Sequence, residues 1–315
     1  MKVIFMGTPE IAATILKALL NEKIDVIAVV TQPDKPKGRG NEIAFSDVKK
    51  VALEYSLPIY QPKRARDESF INEIRCLKPD MIIVAAFGQI LSQELLDIPP
   101  LGCINVHASL LPKYRGAAPI QQVIIDGEEK TGVTIMKMDV GIDTGDMIYK
   151  EEVKIEPKET GGSLHDKLAD IGAHALLVAL KQITDGTAVY EKQDDTKATH
   201  VKQFKKELGN LDFHKDAVVL ERLIRGLNPW PSAYTKLHQK TLKIWNADVV
   251  AFVEGIHPEE YVCGSIVAVN KDSFIIKTGK GYLDVKELQL EGKKRMTASD
   301  FLRGYPLELG TVLGV

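Results

Sequence analysis

The chain has 315 residues, of which 44% are hydrophobic and 27% charged, and 41 Lys/Arg against 43 Asp/Glu leave a net charge of −2. At about 150 residues per domain this length suggests two domains, with enough apolar material to exclude a disordered chain or a small disulfide scaffold. The longest uncharged apolar run, Met81 to Phe87, is far short of a membrane span, no leader-like apolar stretch precedes Gly7-Thr8-Pro9, and Cys76, Cys103 and Cys263 form no CxxC pair; a cytoplasmic protein is expected.

The first half alternates strand and helix signals. Lys2 to Met6 is a short apolar strand ending in Gly7-Thr8-Pro9. Glu10 to Leu20 places Ile11, Ile15, Ala18 and Leu19 on one helical face. Asp25 to Thr31 is β-branched and strand-like, and Ser46 is a possible N-cap for a helix to Tyr55. A helix over Asp67 to Leu77 precedes a buried strand from Met81 to Ala86, and Cys103 to His107 is the next strand. This order predicts a Rossmann-like, doubly wound, mostly parallel sheet with helices on both faces. Pro112 to Gly116 reads as a turn, Ala117 to Asp126 as a helix, Thr131 to Met138 as a strand and Asp139 to Asp146 as a loop. Ser163 to Leu180 is an amphipathic helix.

The polar stretch Tyr190 to Lys206 reads as a linker, dividing the chain into domains 1–189 and 207–315. Beyond it, a helix over Asp216 to Arg225 precedes short strands at 233–237, 243–246, 265–269, 274–278 and 281–290, the pattern of a small β-barrel. From Lys206 onward 15 basic residues face 14 acidic ones, so neither domain is a basic glove. Asp34 to Arg66 is the most basic stretch, with eight Lys/Arg against four Asp/Glu. Such a run can bind phosphates, although it can equally be a solvated face.

Cofactor signatures are few. Gly7 stands alone after the first strand, with no GxGxxG and no phosphate loop. No HExxH occurs, and His165, His174, His200, His214, His238 and His257 are read as surface or packing histidines. Asn105 and His107 are different. Two apart on a strand, they point to one face at its carboxyl end, where open α/β sheets place ligands. An amide beside an imidazole can stabilise a developing oxyanion, although two buried side chains could also simply satisfy each other. The acidic loop could supply a carboxylate that orients the imidazole, but spacing does not choose between Asp139, Asp143 and Asp146.

The blocks Asn105-Val106-His107-Ala108-Ser109-Leu110-Leu111-Pro112, Arg115-Gly116-Ala117-Ala118-Pro119-Ile120 and Asp139-Val140-Gly141-Ile142-Asp143-Thr144-Gly145-Asp146 resemble the 10-formyltetrahydrofolate-dependent formyltransferases. The likeness spans essentially the whole chain, through Met6-Gly7-Thr8-Pro9-Glu10, Thr31-Gln32-Pro33-Asp34-Lys35-Pro36, Gly38-Arg39-Gly40, Phe87-Gly88-Gln89-Ile90-Leu91 and Asn228-Pro229-Trp230-Pro231-Ser232-Ala233. It implies the formyltransferase fold followed by an OB-like β-barrel.

The resemblance also implies roles. Asn105, His107 and Asp143 match the family's catalytic trio. Ser109, Leu110, Leu111 and Pro112 match its folate-binding turn. The backbone of Phe87, Gly88, Gln89 and Ile90 and of Val140 and Gly141 matches the pterin pocket, with Phe87 standing where many relatives carry tyrosine. Lys35, Lys37 and Arg39 match a loop that enters a tRNA acceptor stem, and the barrel would hold the tRNA body. The expected reaction moves the formyl group of 10-formyltetrahydrofolate to the α-amino group of methionyl initiator tRNA, serving translation initiation. Folate and that tRNA are the expected partners of a monomer that uses no metal and no membrane. An amino-sugar acceptor is the rival reading, and it predicts a second domain without the Asn-Pro-Trp-Pro element. A folate- or RNA-binding protein without catalysis would instead need a broken Asn-His-Asp set.

Overall fold

Runs of Val and Ile bounded by Gly and Pro form the strands of a seven-stranded sheet in the computed structural model, which describes residues 1–37 and 42–314 apart from the side chains of residues 36, 37, 42 and 43. In chain order the elements begin β1 (Lys2–Gly7), α1 (Glu10–Asn21), β2 (Asp25–Val30), β3 (Lys35–Lys37), β4 (Glu42–Ala44), α2 (Asp47–Glu54), β5 (Ile59–Tyr60), α3 (Glu68–Leu77) and β6 (Met81–Ala85). They continue with α4 (Gln93–Leu96), β7 (Cys103–His107), β8 (Arg115–Gly116), α5 (Pro119–Asp126), β9 (Lys130–Lys137), β10 (Met147–Lys154), α6 (Gly161–Thr184) and β11 (His200–Val201). Contacts divide the described chain into two units: residues 1–119, 130–154 and 165–201, and residues 120–129, 155–164 and 202–315.

The first unit holds the large sheet, in the order β10-β9-β7-β6-β1-β2-β5. The strands from β7 to β5 are parallel, β9 runs antiparallel to them, and β10 is antiparallel to β9 and so shares their direction. Strand order reverses between β1 and β6, the doubly wound arrangement expected. Both faces are covered, so β6 and β7 are buried at every residue. On one face Ile4, Met6, Val30, Ile82 and Val84 pack with Phe70, Ile71 and Ile74 of α3 and Leu95 and Leu96 of α4. Each large aliphatic side chain buried in this way contributes about 1.5–3 kcal/mol. Ser46 caps α2 as expected, its hydroxyl accepting from Lys49 N at 3.1 Å.

The second unit carries α7 (Ala217–Gly226), β12 (Ala233–Leu237), β13 (Lys240–Val250), β14 (Ile266–Val269), β15 (Phe274–Lys277), β16 (Tyr282–Leu290), β17 (Met296–Thr297) and α8 (Ala298–Gly304). Its antiparallel sheet runs β12-β13-β16-β15-β14, with β17 added against β16. Residues 310–314 link the two ends of that order. Thr311 O accepts from Ile266 N beside β14, and Gly314 N donates to Lys236 O of β12. The Asn-Pro-Trp-Pro element follows α7. Buried Asn228 donates its Nδ2 to Trp245 O at 3.1 Å and accepts from Gly162 N through its carbonyl.

Two differences from the sequence reading concern position. Strand β10 was not expected, the loop after Thr131–Met138 having no strand assigned behind it. The segment 190–206, read as a linker, is divided instead: residues through Val201 belong with the first unit and those from Lys202 with the second. Glu191 bridges Met147 through its backbone, and β11 pairs with β8. A polar segment can be held by backbone pairing without burying an apolar face.

Burial also sorts the three free thiols. Cys103 faces the core of the first unit, and removal from water pushes its thiol up to about 12. Cys76 is exposed and Cys263 intermediate. A thiol-reactive probe at mild alkaline pH should label Cys76 first and Cys263 more slowly. Cys103 should stay unlabelled until denaturant is added, as peptide mapping of the labelled protein would reveal.

Candidate active site

The carboxyl end of β7 supplies the first two groups. Asn105 lies opposite Val84 of β6 and Met136 of β9, and His107 lies opposite Thr134, so neighbours on both sides fix the strand's register. Both residues are buried, at 8% and 6% exposure.

The chain then folds back through a turn with a cis Leu111–Pro112 peptide. Fully buried Ser109 donates its hydroxyl to Lys113 O at 2.7 Å. Thr134 Oγ1 donates to Ser109 O at 2.7 Å and accepts from Leu111 N at 3.0 Å. Leu111 is buried, while Leu110 and Pro112 are partly exposed. The turn delivers Tyr114 O to 3.0 Å from His107 Nε2. A carbonyl can only accept, so Nε2 carries a proton whatever the state of the ring. The other nitrogen, Nδ1, lies 3.6 Å from Asp143 Oδ2, longer than a hydrogen bond.

In the loop after β9 the aspartates differ in what they touch. Asp139 is committed to its own loop, its Oδ1 accepting from Gly141 N at 3.0 Å and Thr144 Oγ1 at 2.6 Å. Asp143 is the one that reaches inward. Its Oδ2 accepts from Gly116 N at 2.8 Å, and its Oδ1 accepts from Asn105 Nδ2 at 3.4 Å. Asp143 has φ +54°, a left-handed conformation that costs a non-glycine residue about 1–3 kcal/mol. The structure therefore brings Asn105, His107 and Asp143 together, with Tyr114 and Gly116 as backbone partners that sequence reasoning did not single out. Gln193 was missed entirely: its Nε2 donates to the carbonyls of Asp143 and Gly145, each at 2.8 Å.

The segment expected to line a pterin pocket is mixed in character. Phe87 is buried, and its carbonyl already accepts from Thr8 Oγ1 at 3.2 Å and Gln32 Nε2 at 3.1 Å. Gln89 uses its amide to hold Ala65 N and Pro62 O. Gly88 has φ +80° and turns the chain after β6. Ile90, Val140 and Ile142 are exposed at 75%, 64% and 62%, and Gly141 is also exposed.

Of the three basic residues expected to meet tRNA, Lys35 is exposed at the start of the β3–β4 hairpin. Arg39 and the side chain of Lys37 lie outside the described residues. The hairpin's base is fixed by Asp34, which accepts from Lys49 Nζ at 2.5 Å and Gln61 Nε2 at 2.9 Å. Hydrogen bonds from Lys49 and then Gln61 hold the Asp34 carboxyl below the usual carboxylate range. Among the described residues no helix is long and apolar enough to cross a membrane, and no cluster of three or more His, Cys, Asp or Glu is placed to hold a metal ion.

A doubly wound sheet with an amide, an imidazole and a carboxylate converging at the end of a central strand is the setting of a group-transfer enzyme, and the chain belongs to the formyl transferase family. Residues 1–180 match the family described as formyl transferase, and residues 203–306 match the formyl transferase C-terminal domain. The methionyl-tRNA formyltransferase of Lachnospira eligens is 54% identical over 314 residues, covering 100% of both chains. The protein of the same name from Agathobacter rectalis is 52% identical over 311 residues, 99% of each. Among solved structures, WlaRD, a sugar 3N-formyl transferase crystallised with dTDP and 5-N-formyl-THF, shares the fold. It has a TM-score of 0.67 and 20% identity over 93% of this chain and 99% of that one.

The site imposes a backbone demand at Gly116. Its φ is +108°, and a Cβ there would lie 2.3 Å from Val201 O, an atom that cannot withdraw without breaking the β8–β11 pairing. Gly116→Ala should therefore cost about 1–3 kcal/mol from backbone strain, with the clash adding to it. Denaturant unfolding of the two proteins measures the loss, and an unchanged midpoint would contradict this account.

Proposed function

We propose that the chain is a methionyl-tRNA formyltransferase, which transfers the formyl group of 10-formyltetrahydrofolate to the α-amino group of methionine carried by initiator tRNA. The observation that carries this reading is the convergence of Asn105, His107 and Asp143 in a chain that matches proteins of that name from end to end. The exposed Ile90, Val140 and Ile142 suit the flat apolar face of a pterin, and the turn from Ser109 to Pro112 is held by the hydrogen bonds of Ser109 and Thr134.

The attacking amine must be neutral, and a free α-amino group titrates at roughly 7.7–8.0, so a useful fraction is ready at neutral pH. As its nitrogen bonds to the formyl carbon, negative charge gathers on the formyl oxygen, and the bond to N10 of the folate then breaks as that nitrogen takes up a proton. Asn105 donates only one of its two amide N–H groups to Asp143, which leaves the second for the charged oxygen. His107 Nδ1, the ring nitrogen not held by Tyr114, faces the Asp143 carboxylate at 3.6 Å. Together His107 and Asp143 accept the proton the amine loses, directly or through a water. Gly116 N and Asn105 keep the carboxylate oriented for that task.

The second unit contributes attraction to phosphate. Lys293, Lys294 and Arg295 are exposed after β16, and Arg295 and Lys243 lie 5.0 and 5.4 Å from the Trp245 ring. Lys35, Lys37 and Arg39 add the acceptor-stem contact in the first.

The decisive assay is incubation with 10-formyltetrahydrofolate and methionyl initiator tRNA, scored by release of N-formylmethionine, with an amino-sugar nucleotide as competing acceptor. Formylation of the sugar alone would overturn the reading. In the same assay His107→Ala and Asp143→Ala should each lower turnover by at least ~100-fold while folate affinity changes little. Near-normal single-turnover rates in either variant would remove that residue from the chemistry.

The tRNA contact is tested separately. Arg39→Ala should severely weaken the use of methionyl-tRNA and leave folate binding intact. Lys35→Ala should act more mildly and mainly through salt-dependent affinity. Kinetics at two salt concentrations compare them, and an Arg39→Ala enzyme of unchanged efficiency would take the loop out of the recognition scheme.

A further inference from the structure

Behind the Asp139–Asp146 loop sits a side chain that the proposed chemistry does not use. Gln193 Nε2 donates to the carbonyls of Asp143 and Gly145, each at 2.8 Å. Its Oε1 accepts from Arg115 Nε at 3.0 Å and Nη2 at 2.8 Å, and Nη2 also donates to Asp195 Oδ1 at 2.7 Å. A carboxamide has two N–H groups and one oxygen with two lone pairs, so its full capacity is taken up here. Arg115 is 3% exposed, and its guanidinium is rigid, planar and a donor only. Reversing the Gln193 amide would set N–H against guanidinium and oxygen against two carbonyls. Arg115 thus dictates which end of Gln193 faces the loop.

Asp143 needs such support. Its left-handed backbone is one that non-glycine residues rarely adopt. Its carboxylate is held by Gly116 and Asn105, and its peptide carbonyl by Gln193. We propose that Gln193, oriented by Arg115, is the positioning residue that holds the Asp143 peptide so that its carboxylate faces His107. The inference rests on the proposed role of Asp143 and adds a residue that acts through it without touching the substrate.

Gln193→Glu tests it, because it preserves size and the pairing with Arg115 but replaces the two donated N–H groups by oxygen. Turnover should fall about 10- to 100-fold, the scale of a misplaced catalytic group. KM for folate and for methionyl-tRNA should stay within about twofold. Gln193→Met, neutral and of similar length, carries the same test should the glutamate variant not fold. Each is combined with Asp143→Ala in a double-mutant cycle. If Gln193 acts through Asp143, adding its substitution to Asp143→Ala lowers turnover no further. Near-normal turnover for the Gln193 variants, or losses that multiply with that of Asp143→Ala, would overturn the inference. Full turnover in Asp143→Ala alone would instead bring down the role of Asp143, and this inference with it, so the two failures are distinguishable.

Discussion

A carbonyl oxygen accepts hydrogen bonds and cannot donate one, and at the candidate site that asymmetry fixes the imidazole of His107. Tyr114 O holds Nε2–H, so the opposite edge of the ring is turned to Asp143. For this carbonyl to reach the end of β7, the chain must double back within seven residues of His107. The hydrogen bonds of Ser109 and Thr134 close that turn. Thr199 then anchors its far side, its hydroxyl accepting from Tyr114 N at 2.7 Å and its carbonyl from Arg115 N at 2.9 Å. Three consecutive residues consequently serve three different partners. Tyr114 gives a carbonyl to His107, Arg115 a guanidinium to Gln193, and Gly116 an N–H to Asp143.

Much of this architecture is legible in the sequence because it rests on short-range patterning. The strand Cys103–His107 is bounded as its apolar run suggests, and the same-face placement of Asn105 and His107 follows from a period of two. Strand β10 is harder to read for a physical reason. It lies at the end of the sheet order, and Lys150, Glu151, Glu152 and Lys154 give it the charged character that edge strands use to discourage further pairing. Charge that protects an edge also hides it from a reading that looks for apolar runs. The end of the first unit is obscured in a similar way, since β11 and the bridge at Glu191 depend on backbone pairing with distant segments.

The site is legible to the extent that its residues share a strand, and no further. Nothing in the spacing of Asp139, Asp143 and Asp146 tells which turns inward. The distinction lies in tertiary contacts: Asp139 accepts from Gly141 and Thr144 of its own loop, whereas Asp143 accepts from Gly116 and Asn105. Gln193 stands 50 residues beyond Asp143 in a stretch whose composition suggests a tether. Its role exists only because tertiary structure brings two carbonyls and a buried guanidinium to one amide. The segment after β6 carries a different lesson. Its family likeness points to backbone contacts, yet Phe87 O already accepts from Thr8 and Gln32, a tertiary commitment that the sequence does not display.

Positive φ angles cluster where these interactions meet: Tyr114 at +60°, Gly116 at +108° and Asp143 at +54°. Such conformations persist only where the surroundings over-determine them, and here they do. Asp143 is held at its carbonyl by Gln193 and at its carboxylate by Gly116 and Asn105, while Gly116 is pinned by the β8–β11 pairing that leaves no room for a Cβ. The energetic consequence bears on the proposed catalysis. A carboxylate locked before substrate arrives needs little reorganisation when charge moves in the reaction, whereas one on a free loop would have to be ordered in each turnover. The strain of the left-handed Asp143 is therefore borne once, on folding, by the hydrogen bonds of Gln193, Gly116 and Asn105.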